Sequence, residues 1–453
     1  MADPSSNSLQ NWLFSSTAKV AFLVFASASA FYFAEHNIEI SKTAAFVEDI
    51  EDQESWAAGG NKLRQISFLG IATIGGLSLV LGRGGRFRLN PPVVLIAVYV
   101  LWAGASYVWS IDPGATMRRY IVMLCCVVGC IGFSRFLRVR DAVLAAVLVP
   151  SVYLVLGVLC EIALGSFRPH VGDYRFAGSV HPNIQAANLA MGSIAAFTMA
   201  RIQPKLKVLY YVAFCILFLF LILTKCRSAT ATVPVALGII WLIAQPSRNI
   251  FMTVMGAIWI GTTIGLVCMI TEFDPISQNQ DVLLMGRREE TGSSLTGRLP
   301  LWEDLSVYIA RSPTRGYGYR AFWNPRHIYE IAVSQEWVIS EAHSSYIDAT
   351  LQLGVVGAFM LLLTELTAFL YAAFCFRNTQ RPEYLFLVGG IFFCIVRGFT
   401  ESGLGDPIAL TSFLFLSLAA HSWHTPPRTD RQKQPAPSTI PHRPLLQNKI
   451  PQA

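Results

Sequence analysis

Charge is scarce in this chain. Only 14% of its 453 residues are Asp, Glu, Lys or Arg, while 53% are hydrophobic, and so little polar surface excludes a soluble globular domain. Metal-ligand and disulfide spacings are missing too. Of the nine cysteines, Cys125, Cys126, Cys130, Cys160, Cys215, Cys268, Cys375 and Cys394 lie inside apolar runs, where a free thiol behaves as a small hydrophobe. No paired Asp motif or His/Asp cluster marks a metal centre, so neither a metal nor another cofactor is expected. The net charge of +7 is carried by short basic connections and a basic tail, which removes any reason to expect a nucleic-acid partner.

What the chain has in abundance is apolar runs of membrane length. Taking about 17 to 25 residues per spanning helix, about twelve candidates fall near residues 17–34, 66–82, 92–109, 119–134, 142–164, 183–200, 208–224, 228–244, 250–271, 344–376, 384–400 and 407–422. The expected fold is all-α, a polytopic membrane protein with about twelve transmembrane helices. Lys and Arg mark the cytoplasmic connections. They occur at Arg83/Arg86/Arg88, Arg135/Arg138/Arg140, Arg201/Lys205/Lys207, Arg248, Arg377/Arg381 and along the tail, after every second run. The segment after the first run is acidic, with Glu35, Glu39, Glu48, Asp49, Glu51, Asp52 and Glu54.

The expected organisation is a cytoplasmic N-terminus at 1–16, nine helices over 17–271, an exterior loop at 272–343, three helices over 344–422 and a disordered basic cytoplasmic tail at 423–453. Small residues at Ala26 to Ala30 offer a cleavable-signal reading of the first run. No Lys or Arg precedes Lys19, which favours a retained helix.

This topology gathers dispersed polar signatures on one exterior face. They are Arg175-Phe176-Ala177-Gly178 with His181-Pro182-Asn183, Lys225-Cys226-Arg227-Ser228, Thr296-Gly297-Arg298, and Ala342-His343. Lys225 and Arg227 sit in a connection too short to leave the interface, so they either snorkel to lipid headgroups or bind an anion; Arg227 suits a phosphate through its planar fork. Leu299, Trp302, Leu305 and Ile309 recur at helical spacing with Ser312-Pro313 as the stop, predicting an amphipathic helix on the outer leaflet with Arg298 at its start. The turn Arg315-Gly316-Tyr317-Gly318-Tyr319-Arg320-Ala321-Phe322-Trp323 reads as a sugar-binding segment through Tyr317, Tyr319 and Arg320, or as an interfacial aromatic belt. His343 is either a hydrogen-bonded structural histidine or a general base. Glu401 is expected to pair with Arg397, and the intramembrane Glu161 and Glu365 are candidates by position.

In this order the signatures resemble the O-antigen ligase and polymerase superfamily of bacterial envelope glycosyltransferases. The resemblance spans about residues 170–405 and includes Tyr346 and Leu353-Gly354-Val355-Val356-Gly357; Ser344 and Cys226 stand where asparagine and serine are common. It implies metal-independent transfer of a glycan from an undecaprenyl-diphosphate carrier to an acceptor hydroxyl at the periplasmic face of the inner membrane. Arg227 and Arg298 would hold the diphosphate and His343 would act on the acceptor, with Arg175, His181, Asn183, Lys225, Tyr317, Tyr319 and Arg320 around the substrate. The implied partners are the lipid-linked donor, a glycan or lipid A-core acceptor, chain-length regulator and export proteins, and membrane lipids. Phe322-Trp323 and Asp348 resemble exopolysaccharide polymerases more than lipopolysaccharide ligases. A lipid-linked oligosaccharide flippase or solute transporter is the competing class, although no internal repeat supports two related halves. A non-catalytic scaffold would leave the convergence of arginines with His343 without a reason.

Overall fold

The computed structural model describes residues 62–81, 86–171, 174–246, 248–250, 298–335, 339–404 and 409–424, with isolated residues in 21–29 and 252–262. The expected first and ninth runs lie largely outside the described residues, as do the loop up to Gly297 and the tail beyond His424.

The described segments are helices and their connections. In chain order the helices are α1 (Lys62–Leu81), α2 (Pro91–Ala105, extended by a 3-10 turn at Ser106–Val108), α3 (Pro113–Ser134), α4 (Val139–Ala163), α5 (Pro182–Ile202) and α6 (Lys207–Leu223, preceded by a 3-10 turn at Pro204–Leu206). They continue with α7 (Arg227–Ala244), α8 (Arg298–Arg311), α9 (Pro325–Gln335), α10 (Ser345–Thr379), α11 (Glu383–Gly398) and α12 (Ala409–His424). Several starts follow from local sequence. Asn90 accepts from Val93 N and Asp112 from Ala115 N, each just before a proline in the first turn, where the missing N–H costs nothing.

Six helices among the described residues are long and apolar enough to cross a membrane: α2, α3, α4, α6, α7 and α10. The chain is an all-helical, multi-pass membrane protein. The run at 183–200 forms α5, which is outside this set because Gln185, Asn188, Ser193 and Thr198 interrupt it. It is buried along nearly its whole length among α4, α6, α7 and α11. Its small side chains let neighbouring backbones approach, as suits an interior membrane helix.

Successive helices alternate in direction, giving the bundle two distinct ends. At one end Arg88 N donates to Ser422 O, Arg135 lies over the Trp423 ring and Arg377 donates to Gln245 O. At the other, Ile111 N donates to Tyr317 O, Phe176 N to Leu223 O and Ser345 N to Glu401 O.

Helix α10 is broken at Gly354, whose φ of 71° and ψ of −178° are not helical. The turn after α8 fills the break. Tyr317 N and Gly318 N donate to Leu351 O and Gln352 O at 2.8 and 2.9 Å, Val355 N donates to Pro313 O at 2.8 Å, and Trp102 Nε1 donates to Leu353 O at 3.1 Å. These bonds satisfy groups that the interrupted helix leaves open.

Helices α8 and α9 form a small cap with its own core, including Leu301, Leu305, Phe322, Ile328, Ile331, Ile339 and Leu351. The helix expected on the outer leaflet has a protein partner for its apolar stripe. The helix begins at Arg298 as its spacing suggests, but its buried residues are Leu301 and Leu305, packed against protein, and Leu299 is exposed.

Candidate active site

The N-termini of α5, α8 and α10 meet the chain leaving α11, and the connection before α7 joins them through its Thr224 carbonyl. The loop before α5 is shaped by Glu161 at the end of α4. Its buried carboxylate accepts from Ala177 N at 2.9 Å, Gly178 N at 2.8 Å and the Tyr174 hydroxyl. Burial first, then this bond, holds the Tyr174 phenol above its ordinary pKa. The anchored loop presents Arg175, whose guanidinium donates to Thr224 O and Asn183 Oδ1, both at 3.1 Å.

Asn183 continues the chain of contacts by donating to Glu401 Oε1 at 3.1 Å. The same oxygen pairs with Arg298 Nη2 at 3.0 Å, and Arg298 Nη1 donates to Thr400 O. Glu401 is therefore held by Arg298 and Asn183. The expected Arg397 pairing is replaced by a bond from Arg397 Nη1 to Ser402 O at 3.3 Å, because the chain turns directly after α11.

His343 lies beside this network, its Nδ1 3.2 Å from Glu341 Oε1. Its φ of 49° is left-handed, a conformation costing about 1–2 kcal/mol for an L-residue and concentrated at functional sites. Burial depresses the imidazolium, but the Glu341 contact and charge, with Glu401, outweigh it, and the His343 pKa stands above 6.5. Burial opposes the charge of Glu341, yet its contact with His343 and nearby charges hold its pKa below the usual carboxylate value. His181 caps α5 by accepting from Asn183 N; burial first, then Arg175, lowers its pKa.

Ligand atoms of Glu341, His343 and Glu401 lie within 4.8 Å of one another, a spacing that can hold a cation. Arg298 and Asn183 already engage Glu401, and the Arg397 charge acts on Glu341. The arrangement is an ion-pair network with cationic surroundings, suited to an anion.

Of the residues singled out in the sequence, Arg175, His181, Asn183, Arg298 and His343 are brought together. Lys225 and Arg227 lie at the rim, in the turn whose Thr224 carbonyl binds Arg175; Lys225 has a φ of 53° and Arg227 opens α7. The Tyr317 hydroxyl, the Tyr319 ring and the Arg320 backbone are engaged outside this cluster. The Tyr317 hydroxyl donates to Tyr308 O, Tyr319 is fully buried with its N bonded to Ser106 Oγ, and the Arg320 backbone joins Gln352 and Arg119. The ring of Tyr319 has no face open to a sugar; this turn braces α2, α3 and α10. Sequence reasoning missed Glu341, although it stands two residues from His343, and it gave Glu161 no specific role.

Comparison with known proteins bears on the family. A family model described as O-antigen ligase matches residues 212–362, from α6 through the break in α10. The exopolysaccharide production protein ExoQ of Rhizobium meliloti (strain 1021) is 24% identical over 338 residues, covering 70% of this chain and 74% of that protein. An uncharacterized protein of Haemophilus influenzae is 25% identical over 260 residues, covering 53% of this chain and 61% of its own. A 105-residue stretch is 34% identical to mitochondrial ornithine transporter 1 of Schizosaccharomyces pombe, covering 22% of this chain and 33% of the transporter, too little to carry that activity across. Added to the ordered motifs, the family match and the ExoQ relationship support the likeness of this chain to the O-antigen ligase and polymerase superfamily.

Proposed function

We propose that this protein is a metal-independent glycosyltransferase that polymerises exopolysaccharide or O-antigen repeats from an undecaprenyl-diphosphate carrier at the periplasmic face of the inner membrane. The observation that carries this reading is the bonded chain Arg175–Asn183–Glu401–Arg298 with the Glu341–His343 pair beside it, ligand atoms of Glu341, His343 and Glu401 lying within 4.8 Å of one another. The N-termini of α5, α8 and α10 meet there, and their dipoles add to the arginine charges in attracting an anionic leaving group.

In the transfer, an acceptor sugar hydroxyl attacks the anomeric carbon as its bond to the diphosphate oxygen breaks. The diphosphate leaves with that electron pair. Arg298 and Arg227, the latter from the rim, balance its growing charge, while Arg175 in the cluster adds to the field. With Nδ1 turned to Glu341, His343 uses Nε2 to take the hydroxyl proton. Glu341 stabilises the resulting imidazolium. The chemistry needs no metal because the developing charge is met by fixed cations.

Purified protein is expected to build repeat ladders from undecaprenyl-diphosphate oligosaccharide without divalent metal. His343→Ala should reduce transfer by roughly 10² to 10⁴ while preserving membrane insertion, and undiminished transfer would remove His343 from the mechanism. The description of the matching family favours a second reading, a ligase. In that case product would appear only when lipid A-core is supplied.

A further inference from the structure

We propose that Asp348 is the positioning residue of the His343 site, with its buried carboxylate tying together the segments that carry His343, Glu401 and Trp323. The inference rests on His343 being the base of the transfer. Asp348 lies in the first turn of α10 and is 7% exposed. One oxygen accepts from Trp323 Nε1 at 2.7 Å, the other accepts from Ser402 Oγ, and Ala342 N lies 3.3 Å from both.

These donors come from three separate places: the turn before α9, the residue preceding His343 and the residue following Glu401. Because all are donors, the position calls for an acceptor. An apolar replacement would leave the Trp323 and Ala342 N–H groups unmet inside the protein.

The consequence for His343 follows from its left-handed backbone, which must be held from both sides. Upstream, Ala342 N is fixed by Asp348 and Ala342 O accepts from Trp302 Nε1 at 2.8 Å. Downstream, Ser344 Oγ donates to Gly398 O at 3.2 Å, and Ser345 Oγ donates to Glu401 O at 2.8 Å. Release of Ala342 would let His343 relax and open its contact with Glu341. The charged and titratable groups facing His343 are Glu341 in its own connection, Glu401 beyond α11, Arg298 at the start of α8 and His181 before α5. Asp348 acts on the base through Ala342 and on Glu401 through Ser402.

The test uses full-length protein in lipid nanodiscs, treated across pH with diethyl pyrocarbonate, which acylates neutral imidazole. Peptide mass spectrometry follows His343, with the exposed His170 as internal reference. In Asp348→Ala, the His343 midpoint should move to lower pH while that of His170 stays in place. In the same preparation kcat should fall about 10- to 100-fold, as for other supporting residues, with KM for the donor little changed.

Asp348→Asn should behave like the parent, since its amide oxygen can accept from Trp323 and Ala342 while its NH2 donates to the Ser402 hydroxyl. Ser402→Ala, which removes one donor without emptying the core, should give a smaller shift in the same direction and keeps the test available if Asp348→Ala is not recovered. Parent-like His343 midpoints in the alanine variants, or Asp348→Asn as impaired as Asp348→Ala, would overturn the proposal. Absence of transfer by the parent would instead sink the proposed activity, while the midpoints still decide the role of Asp348.

Discussion

His343 and Glu341 form a coupled unit whose effect on pH has a definite sign. Glu341 raises the His343 pKa above 6.5 against the pull of burial, so protonated His343 persists to a higher pH than an isolated imidazole. A base must begin neutral, and transfer is therefore expected to rise as pH increases through that raised value. Glu341→Gln removes the charge that supports the imidazolium. The acid limb of the kcat profile should then move to lower pH, and the plateau should fall because the weaker base accepts a proton less readily. A pH-rate series on parent and variant measures both effects, and an unmoved acid limb would separate Glu341 from the base. The histidine and arginines are legible in sequence because they stand in ordered motifs. Their carboxylate partners are not: Glu401 lies four residues from Arg397, which suggests a local pair, yet the fold supplies Arg298 from 103 positions away. No local spacing encodes that choice.

At the scale of elements, the break in α10 shows a structural demand placed on one glycine. A Cβ at Gly354 would lie 2.1 Å from the Thr314 carbonyl, in addition to requiring the left-handed φ. Gly354→Ala should cost at least ~2 kcal/mol through backbone conformation and collision, with a lowered thermal midpoint in detergent. Gly238→Ala is the control, since it lies in helix α7 with nothing within 4 Å of the added Cβ, and alanine favours a helix. Equal midpoints in the two variants would contradict the packing argument. The sequence exposes Gly354 within a glycine-containing motif and gives the start of α8 through Arg298. It does not reveal that the turn at 313–318 enters the break, because those bonds use backbone groups. Likewise, amphipathicity leaves the partner of α8 open: the same apolar stripe can meet lipid or protein, and here α9 and α10 provide the protein surface. In the glycine-aromatic turn, expected as a sugar site or an aromatic belt, Tyr319 is wholly taken up in packing.

For the whole molecule, the alternating helices separate basic connections from the candidate active site. Arg135, Arg138, Arg140, Arg201, Lys205, Lys207, Arg377 and Arg381 lie in or beside the connections at one end, while His181, Arg227, Arg298 and His343 open helices at the other. Retention of basic loops in the cytoplasm then predicts a periplasmic His343 end, where a carrier already moved across the membrane can meet an acceptor. Ser340 and Arg381 are exposed positions at these opposite ends. In a Cys215→Ser background, the Ser340→Cys variant should react with a membrane-impermeant maleimide in intact cells. Arg381→Cys should react only after the inner membrane is opened. The reverse pattern would put the candidate site in the cytoplasm and defeat a periplasmic polymerase or ligase mechanism, even if the helices and all their contacts were unchanged. Orientation therefore has to agree with the chemistry of the site before the linked arginines and His343 can act on the proposed donor.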